Sequence, residues 1–375
     1  MKQYHTFDDM IWDRIEKGEV LPTGCRCIYD FGAAGDGVTD DTQALQAAAT
    51  CGETVWFPAG IYLLRGALEG GAAVRWIGVH ESSIIRLEPH EAMRRKGYEG
   101  GTVFTNTMLT MRRGSALSLR SLRFDANKEA FDADAGGYGT TRHDHTVCVE
   151  VFGGARVTLK DCTFTNALIE GVYIDRTPDV FITGCRFHHN GFWREDASGI
   201  QISTMRDPDT HIRIYDCAFD ENGFNGLLLN DVEHVTASDI TCHGNGFDGI
   251  AFWGGSSRCS LERITLTEGR GALYFGRGYT PVRDNAEYYA GMPVCKDIRI
   301  RGLVTEGNGF GICWGCAEDI KIDGWYGRDA YVHRLYYLGA ERPVTAVISG
   351  VDLAPSEGFL HDECDAPDLF QVSVC

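Results

Sequence analysis

Residues 212–229 read IRIYDCAFDENGFNGLLL, and residues 235–252 read VTASDITCHGNGFDGIAF. The two stretches share a layout: a short apolar alternation, a polar break, a second short run, the triplet Asn-Gly-Phe, and a third apolar run. The same layout recurs from Val180 (VFITGCRFHHNGF) and Ile298 (IRIRGLVTEGNGFGICW), and without the triplet from Val157 (VTLKDCTFTNALIEGVYI). The steps from 157 to 180 and from 212 to 235 are both 23 residues; the step from 180 to 212 is 32 and holds about nine extra. Within a unit the apolar residues alternate as in a half-buried strand. Val157, Leu159, Cys162 and Phe164 point one way, and Val172 and Ile174 follow after a turn. Runs this short, broken by Asn and Gly, are strands rather than helices.

A repeat of about two dozen residues carrying two or three short strands is one coil of a parallel β-helix, in which equivalent residues of successive coils stack into ladders. Cys162, Cys185 and Cys217 then form an interior row and behave as small buried hydrophobes. Asn190, Asn222, Asn245 and Asn308, each opening an Asn-Gly-Phe triplet, form an amide ladder at a bend, where they satisfy turn backbone groups. The fold class is all-β, with Gly at 46 of 375 residues against the usual ~7% supplying the turns.

A stack of coils leaves an exposed core and unpaired strand edges at its ends, which must be covered. Upstream, YDFGAAGDGVTDDTQALQAA (29–48) has a glycine-rich turn followed by a helix start near Thr39, and this short helix is the expected N-terminal cap. TVWFPAGIYLL, from Thr54, reads as the first coil: strand, Pro-Ala-Gly turn, strand. Residues 1–27 are then an extension, 28–350 the β-helix, and 351–375, acidic and irregular, a C-terminal cover.

These residues carry a resemblance. The 29–48 stretch followed by VWFPAGIYLL resembles the N-terminal part of the pectate-lyase-like superfamily of right-handed parallel β-helices, a group with polygalacturonase-type glycoside hydrolases, other polysaccharide-active enzymes and phage tailspikes. The resemblance implies a right-handed helix and a carbohydrate ligand in a groove along the coils. It does not fix the reaction, because chemistry lives in the site rather than the fold. The catalytic motif set of the polygalacturonases is absent: Asn225-Gly226-Leu227 and Asp248-Gly249-Ile250 occupy the corresponding turn, and Arg299-Ile300-Arg301 only echoes the last motif.

Stacking nominates the acids. The third strand of each coil runs outward to Asp175-Arg176, Ser203-Thr204, Asn230-Asp231 and Trp253-Gly254, and rungs ~4.8 Å apart would bring Asp175, Asn230, Asp231 and Trp253 within roughly 15 Å of one another. The residues just before the same strand are Glu170, Ser198, Asn225 and Asp248. Two carboxylates on one flank are what glycosyl transfer needs. Three insertions add candidates. Phe192–Gly199 carries Glu195 and Asp196 beside Trp193, whose apolar ring would raise a carboxyl pKa. The stretch 124–146 carries His143 and His145 in RHDH, suited to sugar hydroxyls, acid–base work or, as the alternative, a Ca²⁺ site with the neighbouring Asp residues. The stretch from Phe275 carries Arg277 and Tyr279; Arg suits a carboxylated sugar and an aromatic face stacks on a sugar ring. Arg176 and Trp253 complete the expected substrate-binding set, and Glu195, Asp196, Asp175, Asp231, Asp248 and Glu170 the catalytic one. Each has a plainer explanation as a solvated loop charge or a packed ring.

The formal charge of −18 disfavours nucleic acid, which needs clustered Lys and Arg. No apolar run is long enough to span a membrane, and the N-terminus lacks a signal-like apolar stretch. Fourteen Cys without such a signal suit a reducing, cytoplasmic setting. Cys25-Arg26-Cys27 and Cys313-Trp314-Gly315-Cys316 bring thiols close, but no His or second pair completes a zinc site, so no cofactor is expected. The leading expectation is a glycoside hydrolase acting on an oligosaccharide. The alternatives are a uronate lyase or epimerase and a non-catalytic carbohydrate-binding or phage-adhesin module; a homo-oligomer, such as the trimer that tailspikes form, is left open.

Overall fold

The computed structural model describes residues 24–90, 94–96, 102–131, 145–191, 197–205, 207, 209–276, 293–315, 317–328, 332–334, 344–353, 360–362 and 370–374. They wind into a right-handed parallel β-helix. Among the described residues the strands form two sheets of nineteen and twelve strands, parallel throughout except for one short antiparallel pair, Arg94–Lys96 with Thr102–Phe104.

Each coil turns its first corner on a single residue. Ser121, Asp161, Gly184, Asp216, Asp239, Arg263, Gly302, Gly324 and Gly350 all have positive φ, between 51° and 73°, and strand pairing puts them in one column. The left-handed conformation bends the chain at a corner in one step. Gly adopts it freely, and Asp tolerates it because its short side chain bonds locally. This explains the recurrent Asp-Cys and Gly-Cys pairs: the Cys after the corner turns inward. Cys162, Cys185 and Cys217 are 1–3% exposed, and burial with the neighbouring thiols drives Cys185 well above its ordinary pKa. They are the expected interior row.

Phe164, Phe187 and Phe219, two residues beyond the Cys, join an aromatic stack along the axis that also takes in Phe124 and, from the strand before the corner, Trp76. Trp76, Phe124, Phe164, Phe187 and Phe219 follow one another with centroids 5.0–6.5 Å apart and interplanar angles of 19° or less. All are fully buried, each worth roughly 1.5–3 kcal/mol of hydrophobic stabilisation. The second corner holds the expected amide ladder. Asn190, Asn222 and Asn245 each donate Nδ2 to the carbonyl of the ring residue in the preceding coil, at 2.9–3.0 Å. The ladder breaks where Gly269 occupies the Asn position, then resumes with Asn308, whose Oδ1 accepts the Gly269 N–H at 3.0 Å.

The N-terminal cap is present, displaced by three residues. The helix α1 is Thr42–Thr50, not a segment from Thr39, and Asp36–Asp40 is a strand. The side chains decide this. Asp36 accepts the Val38 and Thr39 N–H groups, holding a turn there, and Asp40 accepts the Thr42 N–H at 3.0 Å. Asp41, 1% exposed, reaches back to the Ala34 and Gly35 N–H groups at 2.6 and 3.1 Å and ties the glycine-rich turn to the helix. Ala44, Leu45, Ala48 and Ala49 bury one face of α1 over the first coils. The strands Thr54–Trp56 and Gly60–Leu64 form the expected first coil.

Coil stacking reaches further in both directions than the sequence boundaries. Arg26–Cys27 already pairs with Val55–Trp56. At the other end Leu360–Asp362 pairs with Val332–Arg334, and Phe370–Val374 with Val344–Ile348. Residues 351–375 therefore contribute rungs and are more than a cover; their shorter apolar runs hide the period.

Candidate functional site

The twelve-stranded sheet presents an outward face built by simple alternation. In His145–Phe152, Val149 and Val151 are buried inward and Glu150 and Phe152 face out; in Val172–Asp175, Val172 and Ile174 go in and Tyr173 and Asp175 go out. Pairing aligns Glu150 with Tyr173, Gln201, Leu228 and Ala251 in one outward column. Phe152, Asp175, Ser203, Asn230 and Trp253 form the next. The expected run ends are thus brought together in the expected order, and Arg176 and Asp231 share the adjoining turn column.

Asp175 is 5% exposed. Its Oδ2 accepts Arg176 Nε at 2.7 Å, and its Oδ1 has no hydrogen-bond partner among the described residues. A buried carboxylate oxygen without a donor is costly. Asp231 Oδ1 accepts the Gly255 N–H at 2.7 Å. Its carboxylate fills the space a Cβ on Gly254 would need, 2.6 Å from Oδ1, so Asp231 braces the turn. Trp253 is half-buried. It meets Phe224 edge-on at 6.1 Å and packs on an outward apolar cluster of Leu228, Ala251, Tyr274 and Cys313.

The other two stacked acids stand apart from this face. Glu170, Ser198, Asn225 and Asp248 do form one column, because Gly171, Gly199 and Gly226 N–H groups donate in turn to Ser198, Asn225 and Asp248 carbonyls. All four are buried, at 6%, 0%, 0% and 0% exposure. Asp248 lies against Gly271 and the Phe310 ring: a Cβ on Gly271 would be 2.2 Å from Asp248 Oδ1 and 2.3 Å from Phe310 Cε2. Neither oxygen of Asp248 has a hydrogen-bond partner among the described residues, and burial raises its pKa well above 3.8, with Arg270 opposing. A carboxyl sealed in this way holds its proton and does not meet a ligand on the flank.

Trp193, Glu195, Asp196, His143, Arg277 and Tyr279 lie outside the described residues; His145 opens the strand His145–Phe152. The nine extra residues of the long coil fall in two places. Seven residues separate Asn190 from Ser198 where two separate Asn222 from Asn225, and seven separate Ser203 from His211 where three separate Asn230 from His234. Both loops flank the Asp175–Ser203 rungs.

The sequence reading missed Glu150. Its pKa is raised, chiefly by burial and also by Glu69, against the Thr107 hydroxyl and Arg112. It occupies the rung before Asp175, offset by two residues along the strand. Rungs ~4.8 Å apart and a rise of ~3.3 Å per residue set their Cα atoms ~8 Å apart. Arg112, clamped to Glu69 at 2.9 and 3.0 Å, and Arg176 flank the pair. Among the described residues no group of three or more His, Cys, Asp and Glu could hold a metal ion.

Comparison with known proteins agrees with this architecture. Residues 25–90 match the family model described as rhamnogalacturonase A/epimerase, pectate lyase-like, and residues 132–206 match the model of the right-handed beta helix region. The chain is 22% identical over 245 residues to a pre-neck appendage protein of Bacillus phage B103, covering 63% of this chain and 25% of that one. It is 29% identical over 202 residues to mannuronan C5-epimerase AlgE1 of Azotobacter vinelandii, covering 47% and 14%. It thus spans a quarter or less of these relatives. Among solved structures it resembles the family 28 exopolygalacturonase of Yersinia enterocolitica, with a TM-score of 0.53, 14% identity and coverage of 94% and 78%. The coils and these matches together make the chain a right-handed parallel β-helix protein whose residues 25–90 are similar to the pectate-lyase-like family.

Proposed function

We propose that this chain is a carbohydrate-active enzyme that hydrolyses an oligosaccharide laid across the outward face of the twelve-stranded sheet. One observation carries the reading: Glu150 and Asp175 share that face on adjacent rungs, one with a raised pKa and the other held by Arg176. Two carboxyls in unlike surroundings divide into an acid and a base. Glu150, protonated, donates to the leaving oxygen; Asp175 activates water from the other side. Carboxyl pairs ~6.5–9.5 Å apart leave room for that water and invert the anomeric centre. Asn230 and Trp253, further along the face, serve as sugar subsites.

A second reading, uronate epimerisation or lysis, is favoured by Arg112 and Arg176 beside the acids, since guanidinium pairs with a sugar carboxylate. The similarity to a mannuronan epimerase agrees with it. The phage appendage relative supports a third, binding without turnover. A panel of neutral and uronate oligosaccharides, read by chromatography and by absorbance of unsaturated products, separates them. Hydrolysis gives new reducing ends without absorbance, lysis gives absorbance, epimerisation changes composition at constant length, and an adhesin retains sugar without product. Hydrolysis that survives both Glu150→Gln and Asp175→Asn overturns the assignment of the acids.

A further inference from the structure

Around the corner from Asp175, on the nineteen-stranded sheet, lies an open groove of about 720 Å³ lined by Asp179, Asp209, His211, Arg213, His234 and Arg258 among others. It is separated from the flank described above by the turn at Arg176, Thr177 and Pro178. Two side-chain columns form its floor. Asp179 pairs in register with His211, and the pairings of Ile212 with Val235 and of Val235 with Cys259 carry that column on through His234 to Arg258. Phe181, Arg213, Thr236 and Ser260 form the second.

The two arginines are held in place with donors to spare. Arg213 gives Nη2 to Asp179 Oδ1 at 2.7 Å and lies over the Phe181 ring at 5.3 Å. Asp179 also accepts Arg156 Nε at 2.6 Å, so its charge is already matched. Arg258 gives Nη1 to Glu233 at 3.1 Å and to His234 Nε2 at 2.9 Å. A guanidinium only donates, so His234 Nε2 is the acceptor and the ring proton sits on Nδ1, a further donor. The His211 ring lies 6.0 Å from it. Arg213 and Arg258 are about half exposed, at 46% and 53%, and one nitrogen of each guanidinium is engaged among the described residues. On a chain of net charge −18, preset arginines lining a concave surface are out of keeping with mere solubility.

We propose that this groove is a second carbohydrate site, one that takes a uronate-containing oligosaccharide. The guanidinium nitrogens of Arg213 and Arg258 that are unengaged among the described residues fit planar carboxylates. His211, His234, Thr236, Ser260 and Asp209 supply donors and acceptors for hydroxyls, which a simple anion would leave unused. The rungs repeat every ~4.8 Å, which suits a ligand that itself repeats. The site needs no reacting carboxyl, so it stands whether or not the flank is catalytic.

The test uses the full chain with histidine side chains isotopically labelled, titrated with hexameric oligogalacturonate, a neutral glucose hexasaccharide and inorganic sulfate. The hexauronate is expected to move the ring resonances of His211 and His234. Replacing Arg213 and Arg258 by Gln together is expected to weaken its binding, measured by calorimetry, by roughly tenfold or more, as for lost charge-assisted pairs. Asp175→Asn, on the other face, leaves these shifts in place. His211→Gln paired with Thr236→Val, which leaves every ion pair intact, is expected to weaken hexauronate binding while sparing the fold. Resonances that stay still, equal shifts with sulfate or with the neutral hexasaccharide, or undiminished binding in both double variants each overturn the proposal.

Discussion

The side-chain oxygen of Asn222 accepts both the backbone N–H and the side-chain amide of Asn190, one coil away, at 3.2 and 3.1 Å. Asn222 in turn gives its own backbone N–H and Nδ2 to Asn245 Oδ1 at 3.1 and 3.0 Å, and its Nδ2 also serves the Phe187 carbonyl at 3.0 Å. One side chain thus satisfies groups in three coils, in a place water does not reach. Asn222→Ala would orphan the Asn190 backbone N–H and remove one partner each from the Asn190 side-chain amide and the Phe187 carbonyl. An unsatisfied buried group costs about 1–3 kcal/mol, and partial relaxation leaves an expected loss of roughly 2–4 kcal/mol. Denaturant melts of the wild type and the variant measure it; a loss below ~1 kcal/mol would mean the ladder is decoration.

Acid should weaken the fold through His188. Burial, with Arg186, His189 and Arg123 adding to it, pulls its pKa from 6.5 down to about 4, and its Nδ1 sits 2.7 Å from His189 Nδ1. The unfolded chain therefore takes up this proton first. Stability is unaffected above pH 6.5 and falls progressively as pH drops from there toward about 4, because the unfolded state binds more protons in that window. His188→Gln should flatten that part of the stability curve. An unchanged slope between those limits would place the acid sensitivity elsewhere.

Asp248 acts in the opposite sense. Its folded pKa is raised by burial, so the unfolded chain ionises at lower pH than the folded one. The neutral carboxyl costs least below 3.8, and wild-type stability is lost relative to a non-titrating residue as pH climbs above that value. Asp248→Asn keeps the shape beside Gly271 and Phe310 and removes the titration. Its melting temperature should match the wild type below pH 3.8 and exceed it increasingly as pH rises above that value, by up to ~1.4 kcal/mol per pH unit for as long as the folded carboxyl stays protonated. A gap that does not vary with pH would mean that Asp248 finds a partner that keeps it ionised.

The coil was legible because its constraints repeat. An Asn at the second corner and a Cys after the first each recur at one spacing, since every rung meets the same neighbours. The column of Asp175, Ser203, Asn230 and Trp253 followed from that period alone. Glu150 was hidden because its strand follows the 124–146 insertion, where the count is lost and no triplet restores it. The burial of Asp248 was illegible for another reason: it depends on Phe310, two rungs later, and on Gly271 leaving space for both. The His211, His234, Arg213 and Arg258 groove escaped notice because outward positions on a rung carry no periodic demand. The residues there were chosen one at a time.

If Glu150 is the acid, the rate must depend on its proton. Its raised pKa keeps it protonated further toward neutrality than an exposed Glu, so the alkaline limb of kcat/KM on a cleaved oligosaccharide should report Glu150. Above the Glu150 pKa the group can no longer donate and activity falls. Glu150→Gln should abolish the alkaline limb and lower kcat by roughly 10²–10⁴, with KM little changed because the side chain still fills its place. A substrate with a very good leaving group, which needs no proton, should recover much of the loss in Glu150→Gln and none in Asp175→Asn, whose task is to activate water. The anomer released first should be inverted for carboxyls that stand ~6.5–9.5 Å apart, a separation that leaves room for water rather than for a covalent bond. Retention of configuration, or a leaving-group effect that rescues both variants alike, would remove the division of labour between the two residues.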